Sequence, residues 1–109
     1  MMLVKNYVPS RSPCPVGRAS RVLGDRWVLL ILREAFLGVD RFDAFLERLD
    51  ISRATLTARL GWMVDAGVLE RVPRRAKYAR YRLTEAGRAL RPVFESLRDW
   101  GDVWLPRPA

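Results

Sequence analysis

The sequence predicts a mainly α-helical domain that carries one small β-hairpin, an α+β fold. Apolar residues recur at helical spacing in four successive segments before Gly67, and apolar and polar residues alternate in the segment that follows it. The length, 109 residues, suits one compact domain with its own core. We expect residues 1–12 to form an N-terminal tail and residues 13–109 to form the domain.

Two N-terminal helices are predicted from capping residues and apolar spacing. Pro15 suits the first turn of a helix that runs to Gly24. Asp25 can cap a second helix over residues 26–37, which Gly38 ends. Because this second helix is apolar on nearly all sides, we expect it to be the central, buried helix.

Two further helices with a tight connection between them follow. Asp40 can cap the third helix, and Ser52 can cap the fourth, which covers residues 52–66. The connection between them, residues 49–51, is typical of a helix-turn-helix. The apolar residues expected to face the core are Phe42, Phe45, Leu46 and Leu49 in the third helix, and Leu56, Leu60, Met63 and Val64 in the fourth.

A β-hairpin and a last helical region complete the predicted order. Residues 68–72 and 77–83 are predicted strands, and the second alternates with the period of a half-buried hairpin. Thr84 can cap the final helical region, which Pro92 must kink or divide. Four helices, a hairpin and a final helix together describe a winged helix-turn-helix.

The charge of the chain favours a polyanionic partner. The chain has 20 Lys and Arg against 12 Asp and Glu, a net charge of +8. Residues 53–91 hold ten of the basic residues and only three acidic ones. Such a basic field suits nucleic acid or an anionic membrane surface, although a merely solvated face would have the same composition.

Composition argues against an enzyme. There is no His and only one Cys, which removes the usual general base, catalytic dyads and zinc clusters. We therefore predict no catalytic residue, no metal site and no cofactor. Neither a signal peptide nor a membrane span is recognisable, since the longest apolar run, residues 27–32, is far below the roughly 20 residues that a span needs. We expect a cytoplasmic protein.

The outer flank of the predicted fourth helix is the candidate DNA-reading surface. Arg53 and Thr57 lie where side chains can reach base edges in the major groove, and small neighbours allow close approach. The Ser52 hydroxyl and the helix N-terminus suit a phosphate. The alternative is that Ser52 is only a cap and Arg53 only a surface residue. The predicted contact residues are Ser52, Arg53, Ala54, Thr57, Ala58 and Gly61.

The hairpin, which we call the wing (residues 71–80), is strongly basic. Its predicted tip holds Arg74, Arg75 and Lys77, and its strands add Arg71 and Arg80. Beside a helix-turn-helix, this cluster is expected to contact the DNA backbone or the minor groove, although solvated charge is common at hairpin tips.

Two residues of the fourth helix have more than one interpretation. Arg59 lies near the edge of the core stripe, so it either pairs with an acid of a neighbouring helix or touches DNA. Trp62 points mostly outward and either packs under the wing or lies at an interface.

Motifs along almost the whole chain resemble HxlR-type winged-helix regulators, which are related to the MarR type. The matching segments are Cys14-Pro15, Gly24-Asp25-Arg26-Trp27, Gly38-Val39-Asp40-Arg41-Phe42, LTARL (56–60), AGVLER (66–71), YRLTEAGRAL (81–90) and RDWGDVWL (98–105). The resemblance implies a bacterial transcription factor that binds DNA as a homodimer, in which the first and last helices hold the two chains together. It also implies, for some members, an electrophile or oxidant sensor at the position of Cys14.

The predicted dimer interface rests on the apolar surface of the last helix, which is larger than a small domain can cover. The alternative is that these residues pack onto their own core. The residues assigned to the interface are Val16, Val93, Leu97, Trp100, Val103 and Trp104.

Cys14 precedes Pro15 at a helix start, where the helix terminus and nearby Arg11 and Arg18 favour a reactive thiolate. Its alternative role is that of a small buried hydrophobe beside the first helix.

Together these observations predict a sequence-specific transcriptional regulator that binds a roughly palindromic operator in double-stranded DNA as a homodimer. The predicted recognition helix is residues 52–66. The sequence leaves open whether a small molecule or an oxidant acts as an effector. The alternative is a winged-helix protein-interaction module without sequence-specific DNA binding, in which exposed tryptophans dock a partner.

Overall fold

The computed structural model describes residues 7–108, which form six helices and one two-stranded antiparallel sheet. This order confirms the predicted mainly helical fold with a single hairpin. The elements are α1 (Pro15–Leu23), α2 (Arg26–Phe36), α3 (Phe42–Leu49), α4 (Arg53–Asp65), β1 (Leu69–Val72), β2 (Arg80–Leu83), α5 (Glu85–Arg88) and α6 (Arg91–Trp104).

Local capping explains where several of the helices begin and end. The side chains of Asp25, Ser52 and Thr84 each accept a hydrogen bond from a backbone N–H of the following first turn, at 2.8, 3.1 and 3.1 Å. Gly38 and Gly67, just beyond α2 and α4, adopt positive φ angles of 95° and 80°. Glycine adopts this left-handed backbone without the steric cost that a Cβ imposes, which explains why each helix ends just before its glycine. Both helices end within two residues of the predicted positions.

The predicted cap of α3 is wrong. Its N-cap residue is Arg41, and no side chain makes a capping hydrogen bond there. The carboxylate of Asp40 instead accepts a hydrogen bond from Nη1 of Arg80 at 3.0 Å, and the Asp40 carbonyl accepts the Tyr81 N–H at 2.7 Å. A tertiary contact with β2 has therefore replaced the local one.

The two strands are shorter than predicted. The antiparallel ladder pairs Leu69 with Leu83 at one end and Val72 with Arg80 at the other, so residues 73–79 form a loop. Pro73 has no N–H with which to continue the ladder. The predicted alternation still holds at Ala79, which is buried between exposed neighbours.

Pro92 divides the last helical region, as predicted, because α5 and α6 are separate helices with Pro92 in the first turn of α6. The rings of Phe94 and Phe36 lie 5.5 Å apart between centroids. This contact docks the start of α6 onto the end of α2.

The core lies around α2, which confirms its predicted central position. α2, α3, α4 and β1 all contribute side chains that are almost fully buried, and each such side chain contributes about 1.5–3 kcal/mol by leaving water. The largest of these residues are Phe45, Ile31, Leu32, Leu56, Leu60, Met63, Leu69 and Val28.

One carboxylate is buried in this core. Glu34 of α2 is only 2% exposed, and its oxygens accept hydrogen bonds from Nε of Arg33 at 2.8 Å and from Nε of Arg48 in α3. Burial alone raises the pKa of Glu34, but the hydrogen bonds from Arg48 and Arg33 and their positive charges outweigh it and lower that pKa. Glu34 therefore links α2 to α3 in its ionised form.

This link predicts an acid-sensitive contribution to stability. Because the pKa of Glu34 is lowered in the folded chain, its contribution is complete above the unfolded pKa of about 4.3 and is lost as pH falls through the folded value. We expect Glu34→Gln to reduce the free energy of unfolding by about 1–2 kcal/mol at neutral pH, since both arginines are partly solvated.

Urea denaturation at neutral pH and at about pH 3 measures this contribution. The difference between wild type and Glu34→Gln should shrink in acid, whereas the exposed Glu47→Gln control should show little difference at either pH. A Glu34→Gln deficit that is the same at both pH values would contradict the assignment.

Candidate nucleic-acid interface

The exposed flank of α4 brings most of the predicted base-reading residues together. Arg53, Ala54 and Thr57 are exposed, and they line one shallow surface depression with Ala58. Gly61 is half-buried farther along the helix. We call these five residues the recognition flank. The opposite side of α4 supplies core residues, so one side of the helix is buried and the other is accessible to solvent.

Contacts within the chain hold several of these side chains in place. The Thr57 hydroxyl donates to the carbonyl of Arg53 at 2.8 Å, which leaves the methyl group and an oxygen lone pair available. The Arg53 guanidinium lies 5.4 Å from the ring centroid of Phe42 in α3. The Ser52 hydroxyl donates to Oγ1 of Thr55 at 2.7 Å, in addition to capping the helix. The flank therefore presents positioned polar groups at the N-terminal end of α4.

Arg59 is engaged within the fold. Its Nε donates a hydrogen bond to Oδ2 of Asp25, the residue that caps α2. Of the two interpretations of Arg59, the structure therefore shows the ion pair with a neighbouring element. One carboxylate thus caps α2 and fastens α4 to the start of α2.

The interpretation that Trp62 packs under the wing is wrong. Its ring meets that of Tyr7 edge-on at a centroid distance of 5.0 Å, and the Arg21 guanidinium lies 5.3 Å from its centroid. Arg21 also donates to the carbonyl of Val8 at 2.9 Å. Trp62 therefore joins α4 to α1 and to the N-terminal segment, contacts to which the spacing within α4 gives no clue.

The five cations of the wing divide into two groups. Arg74, Arg75 and Lys77 are exposed in the loop at its tip. Arg71 instead donates to the Ala76 carbonyl at 2.9 Å, and Arg80 pairs with Asp40 across to the start of α3. The sequence places all five on one hairpin, but the acceptors of Arg71 and Arg80 are brought close only by the folded chain.

A groove connects the wing with the recognition flank. It has a volume of about 500 Å³ and lies between α3, the N-terminal end of α4 and the wing loop. Arg53 of the recognition flank and Lys77 of the wing tip both line it. Its lining also includes Arg41, Phe42, Asp43, Ala44, Glu47, Arg71, Tyr78, Ala79 and Tyr81. The N-terminal end of the recognition flank and the wing therefore border the same groove.

α6 carries an exposed apolar stripe along its length, formed by Val93, Leu97, Trp100, Val103 and Trp104. Trp100, Val103 and Trp104 are 58%, 73% and 70% exposed, so the alternative in which they pack onto their own core is wrong. Val16 of α1, the sixth residue assigned to the interface, is 75% exposed. Tryptophans this exposed are typical of a surface that meets another molecule.

Cys14 is exposed at the N-cap of α1, which rules out the alternative of a buried filler within this chain. Its N–H donates to the Ser12 hydroxyl at 3.2 Å. Arg18, predicted to favour the thiolate, donates to the carbonyls of Ser12 and Pro13 at 3.0 and 2.9 Å. The thiol is therefore accessible, and the guanidinium of Arg18 is hydrogen-bonded to backbone carbonyls.

Within residues 7–108, no cluster of three or more Cys, Asp or Glu side chains has an arrangement that could hold a metal ion. No helix in this part of the chain has the length and apolarity to cross a membrane.

Comparison with known proteins places this geometry in a family. The model of the HxlR-like helix-turn-helix family matches residues 22–109. An HTH-type transcriptional regulator of Mycobacterium tuberculosis is 52% identical over 95 residues, which cover 85% of this chain and 60% of that protein. This chain thus spans less than two thirds of that relative's length.

Two solved structures share the fold. PA1607, a candidate transcription factor, matches with a TM-score of 0.84 and 40% identity over 90% of this chain and 70% of that chain. The reduced form of the transcriptional regulator YodB from Bacillus subtilis matches with a TM-score of 0.70 and 30% identity, over 90% of this chain and 100% of that chain. Two of these three proteins are named as transcriptional regulators, and PA1607 as a candidate transcription factor. The chain belongs to the HxlR-like helix-turn-helix family of transcriptional regulators.

Proposed function

We propose that this chain regulates transcription by binding a specific sequence in double-stranded DNA as a homodimer. The observation that carries the proposal is the groove that is lined both by Arg53 of the recognition flank and by Lys77 of the basic wing tip. In this proposal residues 13–109 act as one DNA-binding domain in the cytoplasm of a bacterial cell.

The recognition flank and the wing tip suit different parts of DNA. Arg53 and Thr57 on the N-terminal end of α4 suit base edges in the major groove, and exposed Ala54 lets the helix approach closely. Arg74, Arg75 and Lys77 suit phosphates or the minor groove beside it. Sequence would then be read by α4, while the wing adds affinity that does not depend on sequence.

The homodimer would be formed by the apolar stripe of α6 together with Val16 of α1. A two-fold dimer presents two copies of α4, so the operator should be roughly palindromic, with half-sites about one helical turn (~34 Å) apart. Selection of bound duplexes from a random pool gives both the sequence and the half-site spacing.

The selected operator then tests the assignment of the two surfaces. We expect Arg53→Ala or Thr57→Ala to weaken operator binding by about 1–3 kcal/mol and to relax the preference for the selected sequence. Arg74→Ala or Arg75→Ala should weaken binding to all sequences similarly. Each should also reduce the slope of log affinity against log salt by about 0.9 for every phosphate that the variant no longer neutralises.

Titration of labelled operator and scrambled duplex at several salt concentrations separates these effects. Arg107→Ala is the matched control, because Arg107 is highly exposed, lies beyond the end of α6 and does not line the groove. Losses that are equal for both duplexes in all four variants would exclude α4 as the sequence reader.

A protein-interaction module is the second candidate, and the exposure of Trp100 and Trp104 favours it. These side chains have the size and amphipathic character of docking residues at protein interfaces. Two results with the wild-type chain would together favour this candidate. Selection from the random pool would enrich no sequence, and added salt would weaken binding to all duplexes equally.

Cys14 provides a route by which an oxidant or electrophile effector would act. YodB has been solved both in its reduced form and after diamide treatment. In this chain Cys14 is exposed and is the only Cys, so a disulfide would have to form with a second molecule. Reaction there, at the start of α1, would alter the dimer that positions the two α4 helices.

The test is operator affinity for wild type and Cys14→Ser before and after diamide or a quinone. We expect a change of at least about fivefold (roughly 1 kcal/mol) in wild type and none in Cys14→Ser, in line with ordinary coupling energies between sites. Unchanged wild-type affinity, with a thiol that resists alkylation in the native protein, would leave Cys14 without this role.

A further inference from the structure

We propose that Arg71 is a positioning residue of the wing: it holds the tip loop so that Arg74, Arg75 and Lys77 face the DNA, and it does not contact DNA itself. The inference rests on the proposed function, because it assigns a role within the DNA-binding surface. It also separates Arg71 from the basic cluster in which its sequence position places it.

Arg71 contacts the loop at two points. Its Nη2 donates to the carbonyl of Ala76 at 2.9 Å, and its Nη1 lies 3.5 Å from the carbonyl of Arg74. The guanidinium also lies 5.6 Å from the ring centroid of Tyr81 on the facing strand. The planar guanidinium suits this task, because its fork of donors can reach two acceptors from one fixed orientation.

The tip loop depends on its contacts with Arg71, because the hydrogen-bond ladder of the two strands ends before the loop begins. The last paired residues are Val72 and Arg80, and within the loop the Ala76 N–H donates to the Pro73 carbonyl at 3.3 Å. Arg71 therefore supplies, from its side chain, hydrogen bonds that a longer hairpin would make between its strands. Without them the loop would sample more conformations, and DNA binding would have to order it.

The surroundings of Arg71 argue against a direct phosphate contact. Its Nε is buried and has no hydrogen-bond partner, so the edge of the guanidinium that carries this atom is covered by protein. The base of the wing is fixed independently, since Arg80 pairs with Asp40 and the Tyr81 N–H donates to the Asp40 carbonyl at 2.7 Å. Arg71 thus controls the tip of a wing whose base is already anchored.

The first experiment needs no DNA. Trypsin cleaves after Arg and Lys, so cleavage after Arg74, Arg75 and Lys77 reports how often the tip loop opens. We expect Arg71→Lys, which keeps the charge but loses the fork, to be cleaved at the tip about fivefold faster than wild type. Arg82→Lys is the matched control, because Arg82 is exposed on β2, and its tip cleavage should equal that of wild type. Equal tip cleavage in all three proteins would overturn the positioning role.

The second experiment asks whether Arg71 acts through the tip. If Arg71 positions the loop, Arg71→Lys and Arg71→Met should both weaken duplex binding by about fivefold, whereas a phosphate contact would largely survive in the lysine variant. In a chain that already carries Arg74→Ala and Arg75→Ala, Arg71→Lys should have little further effect. Additive losses in this double-mutant cycle, or full affinity in Arg71→Lys alone, would overturn the inference.

The two experiments separate this inference from the proposed function. A wild-type chain that does not bind duplex DNA would refute the proposed function and with it the role of Arg71 in DNA binding. Tip cleavage by trypsin would still decide whether Arg71 holds the loop.

Discussion

Replacing Trp104 with glutamate is expected to convert the protein from dimers to monomers. Trp104 is 70% exposed in the single chain and lies on the apolar stripe of α6 beside Trp100 and Val103. In the proposed dimer the new carboxylate would be buried without a partner, which costs several kcal/mol. We expect Trp104→Glu to weaken self-association by at least about 100-fold, or roughly 2.8 kcal/mol.

The loss of dimers should also weaken operator binding. A dimer binds the second half-site as an intramolecular event, and a monomer loses this advantage. Sedimentation velocity at micromolar concentration gives the oligomeric state, and titration of the selected operator gives the affinity. The matched control is Leu37→Glu, because Leu37 is similarly exposed, at 66%, but lies at the C-cap of α2 outside the stripe.

Two results would contradict this prediction. A wild-type chain that is fully monomeric at micromolar concentration would show that the stripe does not mediate self-association. A dimeric Trp104→Glu would place the interface elsewhere on the chain.

Gly87→Ala is expected to be strongly destabilising. Gly87 is buried in α5, and a Cβ there would lie 2.2 Å from the carbonyl oxygen of Val68 and 3.1 Å from Cδ2 of Leu83. The Val68 carbonyl cannot easily retreat, because it accepts the Thr84 N–H at 3.1 Å. We expect a loss of about 3 kcal/mol, the upper end of the range for overpacking.

Gly101→Ala provides the matched control. Gly101 lies in α6, and a Cβ there would meet nothing within 4 Å. The same substitution should therefore raise the free energy of unfolding by about 0.5–1 kcal/mol, through the higher helix propensity of alanine. Chemical denaturation of both variants measures the contrast. A loss below about 1 kcal/mol in Gly87→Ala would show that α5 can shift away from the turn before β1.

The sequence predicted well those structural features that depend only on residues nearby in the chain. Asp25, Ser52 and Thr84 cap helices because each precedes a helical apolar pattern, and a cap needs only the N–H groups of the next turn. Pro92 divides the last helical region for an equally local reason. The recognition flank followed from helical geometry, since the side of α4 away from its apolar stripe must face outward.

Features set by distant partners were not predictable in the same way. Asp40 lacks its predicted capping role because Arg80, forty residues later, pairs with it. Arg71 and Arg75 are equally basic, yet only the folded hairpin brings acceptors to Arg71. Glu34 stood within an apolar helix, and its partner Arg48 is known only once α2 and α3 pack together.

The two-sided construction of α4 has a consequence for how such proteins diverge after gene duplication. The residues that stabilise the fold, such as Leu56 and Leu60, are buried, whereas Arg53, Ala54 and Thr57 are exposed and contribute little to the core. Substitutions at exposed helix positions usually change stability by less than about 0.5 kcal/mol. A duplicated copy can therefore accumulate many combinations of substitutions on this flank and acquire a new DNA target. Each successive variant would remain folded.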